Sequence, residues 1–140
     1  ANTGGGGGGY GGVGGTGIVV LRRTTTTPGP ASNMTLVSTA TTAEAGTTAT
    51  GDLVILYTPQ AGSTVLNTNL KAYVSRDNGT TYTAVTLASQ GTTGGHTILT
   101  ANDVDISGQP AGTSMRWKVA TANQSITQQT RIQAVSLGWS

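Results

Sequence analysis

From Asn33 to Ser140 the apolar residues recur at every second position in short runs. No useful length carries the i, i+3, i+4 spacing of an amphipathic helix. Leu70, Ala72 and Val74 alternate with Lys71, Tyr73 and Ser75, and Met115, Trp117 and Val119 alternate with Arg116 and Lys118. Each pattern describes a strand with one dry face and one wet face. Residues 34–42 alternate more loosely, 82–87, 96–99 and 104–106 read as further short strands, and 132–139 as the closing one. Gly, Pro, Asn and Asp break the chain between them, at 46–51, 59–63, 91–95 and 108–112. Leu53-Val54-Ile55-Leu56-Tyr57 is uninterrupted, which predicts a central strand covered on both faces. Threonine is used throughout, and its branched β-carbon suits a pleated surface. The fold expected for 33–140 is all-β, an antiparallel β-sandwich of jelly-roll-like type.

Residues 1–32 are built differently. Positions 1–17 are almost pure glycine, broken by Tyr10, Val13 and Thr16. Such a segment gains nothing from side-chain burial and loses the most backbone entropy on ordering. It is expected to be disordered alone and to order only where backbones of neighbouring chains approach closely. The strict Gly-X-Y period of a collagen is absent. Ile18-Val19-Val20-Leu21-Arg22-Arg23 predicts a short strand, and Thr24 to Thr27 followed by Pro28-Gly29-Pro30 a linker. The organisation expected is a Gly-rich extended arm, strand and linker over 1–32, then the sandwich domain. The chain opens on Ala1 rather than Met, as a processed chain or one numbered from within a longer protein would.

Charge narrows the range of partners. Asp, Glu, Lys and Arg make up 9% of the chain, so hydroxyl and amide groups carry its solubility. The net charge of +2 comes from scattered residues, with only Arg22 and Arg23 adjacent. The counterion-releasing patch of a nucleic-acid binder is missing, so no nucleic acid is expected as a partner. With no cysteine, disulfides and thiolate metal sites are excluded. Apolar runs such as Ile18 to Leu21 are far too short to span a bilayer as a helix, and no membrane insertion is expected.

The chemistry-bearing motifs mostly have plain structural readings. Gly12-Val13-Gly14-Gly15-Thr16-Gly17 fits G-x-G-x-x-G, but a glycine run precedes it and a strand follows. The dinucleotide mechanism needs a strand before and a helix after, so no cofactor is assigned. Ser75-Arg76-Asp77-Asn78-Gly79-Thr80-Thr81-Tyr82 fits S-x-D-x-G-x-T-aromatic and resembles the Asp-box of sialidase-like propellers. In such a turn Asp77 accepts backbone N–H groups, Gly79 takes a positive φ, Ser75 ends a strand and Tyr82 packs underneath. A single copy makes no propeller, and a structural hairpin is the reading adopted.

His96 is the only histidine, at a loop–strand junction, and no G-x-S-x-G elbow accompanies it. Glu44 is the only glutamate, so a glycosidase pair would need Asp residues. Asp103 and Asp105 could share a Ca²⁺ or form a solvated turn edge; without ligand-loop spacing the second is adopted. No catalytic, cofactor or metal residue is therefore expected, and the chain is read as a non-enzyme. Trp117, with Met115 and Val119, is read as core. Tyr73 and Lys71 share a wet face and are the candidate contact for a receptor or sugar.

Two stretches resemble a known class. Gly14-Gly15-Thr16-Gly17-Ile18-Val19-Val20-Leu21-Arg22 looks like the glycine-rich segments that precede a short strand in bacteriophage tail-fibre and related virion appendage proteins. Asn33-Met34-Thr35-Leu36-Val37-Ser38, then Asn67-Thr68-Asn69-Leu70-Lys71-Ala72-Tyr73-Val74-Ser75-Arg76-Asp77, Asp105-Ile106-Ser107-Gly108-Gln109-Pro110 and Gly112-Thr113-Ser114-Met115-Arg116-Trp117-Lys118 are similar to a β domain of phage structural proteins. The resemblance implies a virion component at the particle surface, a homo-oligomer (commonly a trimer) that contacts other virion proteins. It implies host attachment as tail fibre or spike, with a host cell-surface glycan as one candidate partner. A capsid decoration or head-fibre protein, and a carbohydrate-binding module of a secreted bacterial protein, are the alternatives.

Overall fold

A computed structural model describes residues 31–44 and 46–140; the glycine arm and the strand expected at 18–23 lie outside the described residues. Nine strands follow in chain order: β1 (Thr35–Val37), β2 (Thr41–Thr42), β3 (Thr50–Ala61), β4 (Leu70–Ser75), β5 (Thr83–Val85), β6 (Ala88–Thr93), β7 (His96–Asp105), β8 (Ser114–Thr121) and β9 (Gln129–Trp139). One sheet has the order β1-β8-β4-β5, with β2 also paired to β8; the other has the order β6-β7-β3-β9. Every pairing between these strands is antiparallel. The described domain is thus an all-β sandwich of two antiparallel sheets.

The alternation in the sequence decides which residues fill the space between the sheets. Leu70, Ala72 and Val74 of β4 and Met115 and Val119 of β8 come from one sheet. Leu53, Ile55 and Tyr57 of β3 and Leu99 and Ala101 of β7 come from the other. Leu53, Ile55, Leu70, Val74, Leu99, Met115 and Val119 are fully buried. At about 1.5–3 kcal/mol for each large side chain removed from water, this layer is the main stabilising contribution.

Several expectations change. β3 runs from Thr50 to Ala61 and takes in the ends of the breaks expected at 46–51 and 59–63, because its pairing with β9 continues through Pro59 and Ala61, and Ala88–Thr93, not read as a strand, pairs with β7 as β6. β3 is central, between β7 and β9, but it is covered on one face only: Val54 is 39% exposed while its neighbours Leu53 and Ile55 are sealed. An antiparallel sheet can leave one face in water, and among the described residues no layer packs on this one. The runs read as separate strands at 96–99 and 104–106 are one ten-residue strand, β7. It stays continuous through a bulge, where Asp103 adopts a φ of 53° and its N–H donates to Asp52 Oδ1 at 2.8 Å. The loop expected over 91–95 shrinks to the turn at Gly94 and Gly95, both at positive φ, which closes the β6–β7 hairpin.

Candidate functional site

The loop after β4 is closed by a set of short-range side-chain hydrogen bonds. The Ser75 hydroxyl, fully buried, donates to Asp77 Oδ1 at 2.7 Å and accepts the Gly79 N–H at 2.8 Å. The Asp77 carboxylate accepts the Thr81 N–H at 2.9 and 3.0 Å and the Thr81 hydroxyl at 2.7 Å. Asn78 and Gly79 both take positive φ, 62° and 83°. Tyr82 lies under the turn, close enough that a Cβ on Gly79 would sit 2.8 Å from its Oη. Partial burial pushes the Asp77 carboxyl up, but the hydrogen bonds from Thr81 and Ser75 outweigh it and hold the group below its ordinary value.

The residue inside this turn that the sequence reading passed over is Arg76. It is 7% exposed, and all of its side-chain hydrogen bonds among the described residues go to backbone carbonyls. Nη1 donates to Thr48 at 2.6 Å, Nη2 to Ser107 at 2.7 Å and also to Gln109, and Nε to Pro110 at 3.2 Å. Gln109 answers from the other side. Its Oε1 accepts the Arg76 N–H at 2.8 Å, and its Nε2 donates to Val74 O and Thr83 Oγ1, each at 2.8 Å. Ser114 closes the unit by donating its N–H to Arg76 O and accepting the Asn78 N–H. Gly112 is required there, because a Cβ would overlap the Arg76 carbonyl oxygen.

Tyr73 and Lys71 stand on the outer face of the β1-β8-β4-β5 sheet, and the structure brings them together. They line a groove of about 310 Å³ with Asn67, Ala72, Ala84 and Val85. Tyr73 is directly opposite Lys118 on β8, whose Nζ lies 4.3 Å from the Tyr73 ring centroid and 4.1 Å from that of Tyr82. One cation thus bridges two rings and fixes both. Lys71 is exposed at the rim of the groove. Asn67 anchors the groove's end by exchanging two hydrogen bonds with the Leu87 backbone.

The other sequence candidates do not gather. His96 opens β7 and its Nδ1 pairs with Thr58 Oγ1 at 2.9 Å. Asp105 Oδ1 accepts the Ser107 N–H at 2.8 Å, and hydrogen bonds from Ser107 hold its carboxyl below the usual range. Asp103 sits in the β7 bulge, and among the described residues no group of three potential metal ligands forms.

Sequence reasoning missed a second groove. Trp117 packs against the core but at its rim, half-buried rather than enclosed. Across from it, on the edge strand β9, is Trp139, and the two line an opening of about 490 Å³ together with Ser38, Thr39, Thr41 and Ser136. The alternation put Trp117 on a dry face; what it could not reveal is that this end of the face is at the open edge of the sandwich.

Comparison with protein-family models, with curated proteins and with solved structures yields no match.

Proposed function

We propose that this chain is a structural protein of a bacteriophage virion, a tail-fibre or spike component at the particle surface. In this reading it assembles as a homotrimer, contacts other virion proteins and takes part in host attachment, with no catalytic step. One observation carries the reading: three of the separate stretches that resemble phage structural proteins meet at one residue, Arg76. Arg76 belongs to the stretch 67–77, Ser107, Gln109 and Pro110 to 105–110, and Gly112 and Ser114 to 112–118. The resemblance therefore falls on residues that lock a scaffold rather than on a reactive cluster. A buried cation whose hydrogen bonds run to carbonyls holds three chain segments in register. The exposed outer face of β3 and the grooves on either side of the domain supply surface for contacts.

Two measurements test this reading. Light scattering on the full chain at micromolar concentration is expected to give a trimer. Purified protein added to host cells is expected to reduce adsorption of the phage that encodes it. A monomer that leaves adsorption unchanged would refute the assignment.

A further inference from the structure

The groove between the sandwich rims has a lining with a definite chemistry. β9 is the outer strand of its sheet, and across the groove from it stand Trp117 of β8 and the segment from Ser38 to Thr41 that leads from β1 into β2. Its inward side chains Val135 and Leu137 stay half-buried, while Ile55 and Leu53, paired beside them on β3, are sealed. The apolar floor is therefore open to solvent along this side.

Both tryptophans of the chain stand at this opening. Neither indole N–H has an acceptor among the described residues, and neither is a polar atom sealed from solvent. The hydroxyls of Thr39, Thr41 and Ser136 likewise have no hydrogen-bond partner among the described residues, and all three residues are exposed. The wall is held in place. Ser38 Oγ accepts the backbone N–H of Trp117 at 3.1 Å, the Ser38 N–H donates to Trp117 O at 3.0 Å, and the Ala43 N–H donates to Thr113 O at 2.7 Å. No charged side chain lines the opening.

We propose that this groove binds a neutral saccharide. A sugar ring offers an apolar C–H face to an indole and a fringe of hydroxyls that donate and accept. The groove offers two indoles, two indole N–H donors and three uncommitted hydroxyls. An apolar peptide side chain would strand those hydroxyls, and a charged ligand would lose hydration with no counter-charge to meet. The opening of about 490 Å³ lies within the range of small-ligand sites. It differs in kind from the Tyr73 groove, whose surroundings carry Lys71 and Lys118. The proposal does not depend on the virion assignment.

Because both tryptophans flank the groove, intrinsic fluorescence of the full chain reads its occupancy directly. The probes are neutral tri- to hexasaccharides of glucose, galactose and N-acetylglucosamine, with uronic-acid oligosaccharides as the charged comparison. At least one neutral sugar is expected to shift the emission saturably and to protect it from acrylamide. Ser136→Arg and Thr41→Arg, exposed positions at the mouth, are expected to weaken that response at least tenfold while leaving the urea midpoint unchanged. The proposal is overturned by silence across the neutral panel or by an undiminished response in both arginine variants. It is equally overturned by an equal response to uronic acids, or by tryptophans that acrylamide cannot reach in the free chain.

Discussion

Replacing Arg76 by methionine should remove a large share of the domain's stability. The substitution keeps the stem's volume and deletes every donor of the guanidinium. Four carbonyls lose their partner. Those of Ser107 and Pro110 belong to exposed residues and can turn to water, whereas Thr48 and Gln109 are buried residues. Leaving two buried acceptors unsatisfied at about 1–3 kcal/mol each, and losing charge-assisted bonds, gives about 3–5 kcal/mol. Against a total of about 5–15 kcal/mol for a domain, that is a large share. With an m-value of about 1–3 kcal/mol/M, the urea midpoint should fall by about 1–5 M, read by tryptophan fluorescence. Arg76→Lys keeps the charge with three donors instead of five and should fall in between. Asp105→Asn should lower the midpoint far less than Arg76→Met, because the carbonyls rather than that exposed carboxylate hold the arginine. A loss below about 1 kcal/mol for Arg76→Met would refute the reasoning, since it is the smallest cost expected of a single stranded buried acceptor.

The turn makes further predictions. Gly79→Ala should lower stability by about 1–2 kcal/mol from the left-handed backbone alone, and more if Tyr82 cannot move away; urea titration measures it. Gly112→Ala should lower the midpoint further than Gly79→Ala, because its Cβ meets backbone. The depressed Asp77 carboxyl stabilises the fold above its unfolded value of about 3.9. That stability should drain away as the pH falls through about 4 and below, and Asp77→Asn should flatten this acid limb in a pH series of thermal melts. Lys118→Met should cost about 1 kcal/mol by releasing two rings at once, seen in the same titration.

The strands whose two faces differ most were the most legible. Lys71 and Tyr73 against Ala72 and Val74, or Arg116 and Lys118 against Met115 and Val119, state which side is dry, and β4 and β8 follow. The turn from Ser75 to Tyr82 was legible for a local reason: its hydrogen bonds close within a few residues. β3 misled because Val54 and Leu56 are as apolar as Ile55, and composition cannot distinguish a second covered face from a bare one. The break expected inside β7 was a bulge, which Asp52 on the neighbouring strand satisfies. Arg76 was passed over because its partners at Thr48, Ser107 and Gln109 are distant in sequence. Trp117 and Trp139 meet only because β8 and β9 belong to facing sheets, and strand order is not written in alternation.

Immunogold electron microscopy of purified phage, with antibodies raised against residues 33–140, tests the central assignment most directly. Label concentrated on fibres or spikes at the particle surface is the predicted result. Particles free of label, with the chain recovered only from the unassembled fraction, would contradict it.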